Sequence, residues 1–115
     1  MAERLTSEGI RLYRDAQEVP ISTVVEVRSG SLMFRTIVPE AGTEVHSSFV
    51  AHSGSISAAH LLVSERLGAR PVAQSMSGDL TEERDRSSLL LEHLSYVRDA
   101  VAEELGGNIR VEVDR

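Results

Sequence analysis

The residues best suited to chemistry gather in one short stretch, Ser53-Gly54-Ser55-Ile56-Ser57, with His52 just before it and His60 just after. Taken as the end of a strand and the start of a helix, this stretch brings free backbone N–H groups and three hydroxyls to one point. A helix N-terminus of that kind favours a small anionic ligand: a phosphate, a sulfate or a carboxylate. Serine and glycine are also the preferred residues of turns and N-caps, which need no ligand, and the longer glycine fingerprints of nucleotide sites are missing. His52 and His60 add imidazoles that titrate near neutral pH and suit acid–base work if the serine turn brings them together. His46 shares a strand face with His52 but lies six residues, about 20 Å, away, too far for one metal ion to bind both. His93 falls on the polar side of a long helix, and nothing in its spacing assigns it a role.

Other chemistries are excluded by composition. The chain has no cysteine, which removes disulfides, thiolate catalysis, iron–sulfur clusters and cysteine-ligated zinc. Every one of its 12 basic residues is arginine, so Schiff-base lysine and a phosphate loop ending in Gly-Lys-Ser/Thr are absent as well. Glu82-Glu83 and Glu103-Glu104 are adjacent on helices and do not face one another, so they read as solvated helix charge. No metal site and no cofactor are expected. A net charge of −6 without a basic cluster speaks against nucleic acid and anionic membranes as partners. The start Met1-Ala2-Glu3-Arg4 lacks a signal-peptide pattern and no apolar run is long enough to span a bilayer, so a cytoplasmic location is expected.

The elements that must position these residues follow from periodicity and punctuation. Leu5-Thr6-Ser7-Glu8 opens a predicted helix over Ser7 to Gln17, with Leu12, Tyr13 and Ala16 on one side. After Pro20 the pattern changes to period two. Ile21, Thr23, Val25 and Val27 share one face, and turns at Ser29-Gly30-Ser31 and Pro39-Glu40-Ala41-Gly42 separate strands ending near Arg28, Val38 and His52. Ile56, Ala59, Leu62, Val63 and Leu67 then predict a second helix stopped by Gly68, followed by a short strand over Pro71 to Met76. A long helix starts at Asp79 with Glu82 as its capping box, and Leu90, Leu94, Val97, Val101 and Leu105 form an apolar seam. Gly106-Gly107 ends it, and Ile109, Val111 and Val113 alternate with charges in a last strand.

The order α-β-β-β-α-β-α-β predicts a single α+β domain over residues 1–115, a mostly antiparallel sheet of about five strands with helices on one face. That order loosely resembles small secretion-chaperone and related adaptor folds. It is also similar to the order in OsmC-type peroxidases, whose cysteines this chain lacks. Both are likenesses of topology without a shared motif.

Two functions are compatible with these features. The first is a small interaction or regulatory module that self-associates or binds another protein. Leu89, Leu90 and Leu91 are consecutive, so with Leu94 they point apolar side chains in more than one direction and provide a contact surface. The second is a small enzyme or binding domain for an anionic metabolite at Ser53, Gly54, Ser55 and Ser57, with His52 or His60 alongside.

Overall fold

Alternation of apolar and polar residues marks much of the chain from residue 10 to residue 52. The computed structural model describes residues 9–52, 55–66, 68–77 and 86–113. Seven strands come first: β1 (Ile10–Arg14), β2 (Gln17–Val19), β3 (Ser22–Arg28), β4 (Ser31–Val38), β5 (Thr43–His52), β6 (Ser55–Ser64) and β7 (Gly68–Ser77). The single α-helix among the described residues, α1 (Arg86–Leu105), and a last strand, β8 (Ile109–Val113), follow. The α+β class and the antiparallel meander are as expected. The element order is not, because two predicted helices are strands.

The first correction concerns residues 7–17. Ile10 and Leu12 are buried while Arg11 between them is exposed, which is the period of a strand. Their backbone pairs with two neighbours, β2 through Leu12↔Val19 and β8 through Leu12↔Val111, giving a three-stranded sheet β2-β1-β8. The final strand therefore leaves the main sheet and forms an edge of this smaller one. Where β1 turns into β2, Asp15 adopts a left-handed φ of 55° and its N–H donates to the Asn108 carbonyl at 2.8 Å. The Asp15 carboxylate accepts the Asn108 N–H in return at 3.1 Å.

Gly107 is held against this turn with a φ of 82°. A Cβ there would lie 3.2 Å from Asp15 Oδ2 and 3.3 Å from Arg14 Nε. Gly107→Ala is therefore expected to cost about 1–2 kcal/mol, from left-handed strain and from displacing the Arg14 and Asp15 side chains. Chemical denaturation checks this, and a change below about 0.5 kcal/mol would show that the link relaxes freely.

The second correction is larger. Residues 56–67 were expected to be helical, but Ser55–Ser64 is the fourth strand of a five-stranded antiparallel meander, β3-β4-β5-β6-β7. It pairs with β5 over its whole length, from Thr43↔Ser64 to His52↔Ser55. β7 starts at Gly68, which is a turn residue with φ 76° rather than a helix stop. Pro71, which cannot donate to a ladder, sits on this edge strand beside a bulge between His60 and Leu61. The element order thus differs from that of the secretion-chaperone and peroxidase folds.

Helix α1 lies on the inner face of the meander. Its seam, Leu90, Leu94, Val97 and Val101, is buried as expected, and it joins Val25, Phe34, Val38, Val45, Phe49, Ala58 and Leu62 from the sheet. Ile10, Leu12, Val19 and Ile109 of the small sheet extend the same cluster. Phe34 and Phe49 meet edge to face with centroids 6.0 Å apart. On the rim, Arg66 reaches Glu104 at 3.4 Å and Arg70 reaches Glu103 at 3.1 Å, tying the β6–β7 end to the last turns of the helix.

Candidate functional site

An unbroken row of polar side chains runs through the middle of this apolar core. It begins with two cross-strand pairs on the inner face of the sheet, Thr23 opposite Thr36 and Ser47 opposite His60. Residues directly opposite in an antiparallel pair have their Cβ atoms close together, so each pair is within reach by virtue of register alone. Helix α1 lays His93 across the gap between the two pairs. His93 Nε2 is 2.8 Å from Thr36 Oγ1, and His93 Nδ1 is 2.5 Å from Ser47 Oγ. Ser47 Oγ is also 2.7 Å from His60 Nδ1, and Thr23 Oγ1 is 2.9 Å from Thr36 Oγ1. At the far end His60 Nε2 reaches Glu92 Oε2 at 3.1 Å. Thr23, Thr36, Ser47, His60 and His93 are all buried, and Glu92 alone is partly open to solvent.

With both imidazoles neutral, one arrangement of protons satisfies every contact. The Glu92 carboxylate can only accept, so His60 Nε2–H donates to it and His60 Nδ1 is an acceptor. The Ser47 hydroxyl donates its single proton to His60 Nδ1, which leaves its oxygen to accept from His93 Nδ1–H. His93 Nε2 then accepts from the Thr36 hydroxyl, and Thr36 accepts from Thr23. The hydrogen bonds all point one way, from Thr23 to Glu92.

The environment keeps the imidazoles neutral. Burial pushes His93 down to about 3, and repulsion from His60 and His46 adds to it. Burial also lowers His60, with the Glu92 hydrogen bond and charge pulling the other way. Flat stacking reinforces the seating: His93 lies on Phe34 with centroids 5.4 Å apart, and His60 lies on Tyr96 at 4.0 Å.

Ser47, His60 and Glu92 have the connectivity of a nucleophile, a base and an orienting carboxylate. Among the described residues, however, Ser47 and His60 are buried. Ser47 Oγ sits in the core between two imidazoles, and neither of the two cavities described below includes it. The arrangement holds protons in place and fixes the register of helix on sheet.

The predicted site residues are dispersed. Ser53 and Gly54 lie outside the described residues. Ser55 and Ser57 belong to a strand, opposite His52 and Val50, so the helix N-terminus on which anion binding was expected does not exist. His60 pairs with Ser47, well along the hairpin from the His52–Ser55 end, and the two histidines are not brought together. A cavity of about 240 Å³ adjoins this end of the hairpin, but Leu32, Phe49, Ala51, Ile56 and Leu89 make it apolar. A second, of about 130 Å³, lies beside Pro39, Gly42 and Glu65 and is bordered by Thr43, whose buried Oγ1 has no hydrogen-bond partner.

Leu89, Leu90 and Leu94 are buried in the domain's own core, and Leu91 alone projects outward, 52% exposed. Among the described residues no cluster of three His, Asp or Glu side chains is placed to hold a metal ion, and no helix is long and apolar enough to cross a membrane.

His93, which the sequence placed on the solvated side of α1, is wholly buried and at the centre of the network. A signal was available in its position. It stands three residues after Leu90 and four before Val97, within the buried stripe.

The outward face of the meander has a different character. Val24, Met33, Ile37, Val50, Leu61 and Val63 point away from the helix, and none of them packs against the core. Polar residues lie between them, with Arg35 bonded to Glu44 at 2.8 Å and His46 3.5 Å from the same carboxylate. Comparison of the chain with protein families, with curated proteins and with solved structures returned no match.

Proposed function

We propose that the protein is a non-catalytic docking module whose working surface is the outward face of the five-stranded sheet. The observation that carries this is the apolar content of that face. A solvated face of an antiparallel sheet is ordinarily polar, because the alternation sends apolar residues to the core side only. Here six apolar side chains point outward and lie outside the core cluster, with Met33 39% exposed and the other five half-buried. Apolar side chains gathered on one outward face of a folded domain, even interspersed with polar ones, point to a contact site. The burial of the histidine–serine–threonine row supports the same reading, since its hydroxyls and imidazoles lie in the core formed by the described residues.

Photocrosslinking in cells tests it. A p-benzoylphenylalanine at position 33 is expected to give a light-dependent protein adduct. The same probe at Glu18, exposed on the small sheet, is expected to give none. Absence of any adduct at position 33 would remove the docking reading.

A further inference from the structure

We infer that the outward sheet face is closed by a second copy of this chain, the two meanders packing face to face as a two-layer sandwich. This rests on the docking reading above and names the occupant.

Three observations favour a second copy. The first is charge. The whole chain carries −6, which disfavours self-contact in general. The outward residues of β3 to β6, however, include two arginines and two glutamates, Arg28, Arg35, Glu26 and Glu44, so their formal charges cancel. Arg35 and Glu44 lie side by side on neighbouring strands. A two-fold axis in the plane between them sets each against its opposite on the other copy, which is the self-complementarity an isologous contact requires.

The second is area. Five strands spaced about 4.8 Å apart, each contributing about eight residues of about 3.3 Å, give a face of about 24 by 26 Å. Two such faces bury about 1,200 Å² together, at the lower end of specific, stable interfaces. Packing two twisted sheets about 10 Å apart accommodates such a contact without rearrangement.

The third is the absence of a better cover within this sequence. The two longer stretches outside the described residues, 1–8 and 78–85, read MAERLTSE and GDLTEERD. Met1, Ala2, Leu5 and Leu80 are their only apolar residues, against six large apolar side chains to be covered.

Light scattering on the purified chain, from about 1 to 200 µM, tests the inference. The mass is expected to rise toward twice 12.6 kDa across that range. Met33→Glu and Leu61→Glu place a charge in the middle of the contact and are expected to weaken association by at least about 100-fold, returning the mass to that of one chain. Circular dichroism checks that each variant is folded. Leu91→Glu, on the exposed side of α1, is expected to leave the dimer intact. The p-benzoylphenylalanine probe at position 33, irradiated in the purified protein, needs no destabilising change and is expected to give a species of twice the chain mass.

A single-chain mass at every concentration overturns the second copy. So does a dimer that survives both sheet substitutions, or one lost with Leu91→Glu. A monomer that nevertheless forms adducts of other masses in cells overturns the second copy but leaves the docking reading in place. A monomer with no adduct in either setting removes both.

Discussion

Between pH 6.5 and about 3.5 the folded protein is expected to lose on the order of 4 kcal/mol of stability through one side chain, His93. In the folded state its imidazole takes up a proton only near pH 3, whereas in the unfolded chain it does so near 6.5. The folded value is the lower one, so the unfolded state binds more protons throughout the window and acid draws the equilibrium toward it. Each pH unit below 6.5 is worth about 1.4 kcal/mol, so the loss is about 2 kcal/mol at pH 5 and grows from there. His60 shifts in the same direction and adds to the slope. Domains of this size hold only about 5–15 kcal/mol in total, so an acid transition well above pH 3 is expected.

Carboxylates also titrate toward the acid end of this window, and a variant is needed to isolate the imidazole. His93→Gln keeps one donor and one acceptor at the helix surface but has no titrating ring. Urea titrations at pH 7 and pH 5 are expected to show the unmodified protein losing about 2 kcal/mol more than His93→Gln between the two. Equal losses in both proteins would mean that His93 is not held neutral by its surroundings.

The same surroundings explain what could be foreseen from the residues. β3 to β5 were legible because each has one clearly apolar face: Thr23, Val25 and Val27, then Phe34, Thr36 and Val38, then Val45, Ser47 and Phe49. The α1 seam was legible for the same reason at a different period. β6 was not. Leu61, Leu62 and Val63 are consecutive because this strand is apolar outward as well as inward, and a strand with two apolar faces loses its alternation. Its inward residues Ala58, His60 and Ser64 are small or polar, which weakens the core signal further. The surface now proposed for docking is therefore the one that disguised the strand. β1 failed differently. Five residues long and beginning after plausible N-caps, it acquires its strand character from β8, nearly a hundred residues later, and local pattern cannot show that pairing. His93 was misplaced by residue type, since an imidazole in an apolar stripe is accepted only where partners such as the Thr36 and Ser47 hydroxyls of two strands meet it.

Removing one oxygen atom from that meeting point is expected to be among the most damaging small changes available. Ser47→Ala deletes the hydroxyl that both accepts from His93 Nδ1–H and donates to His60 Nδ1. Two imidazole nitrogens are left in the core without partners, in a space about the size of the lost oxygen. A buried polar group left unpaired costs about 1–3 kcal/mol, so the pair is expected to cost about 2–5 kcal/mol. Two controls separate this from a general intolerance of substitution. Ser48→Ala, one residue along on the outward face, is expected to change stability by less than about 0.5 kcal/mol. Thr43→Val removes a buried hydroxyl that has no partner, at nearly constant volume, and is expected to be neutral or stabilising. The ordering of these three by chemical denaturation decides the matter. If Ser47→Ala costs no more than Ser48→Ala, the directional chain from Thr23 to Glu92 does not hold the helix on the sheet. The position of α1 would then be set by the apolar seam alone.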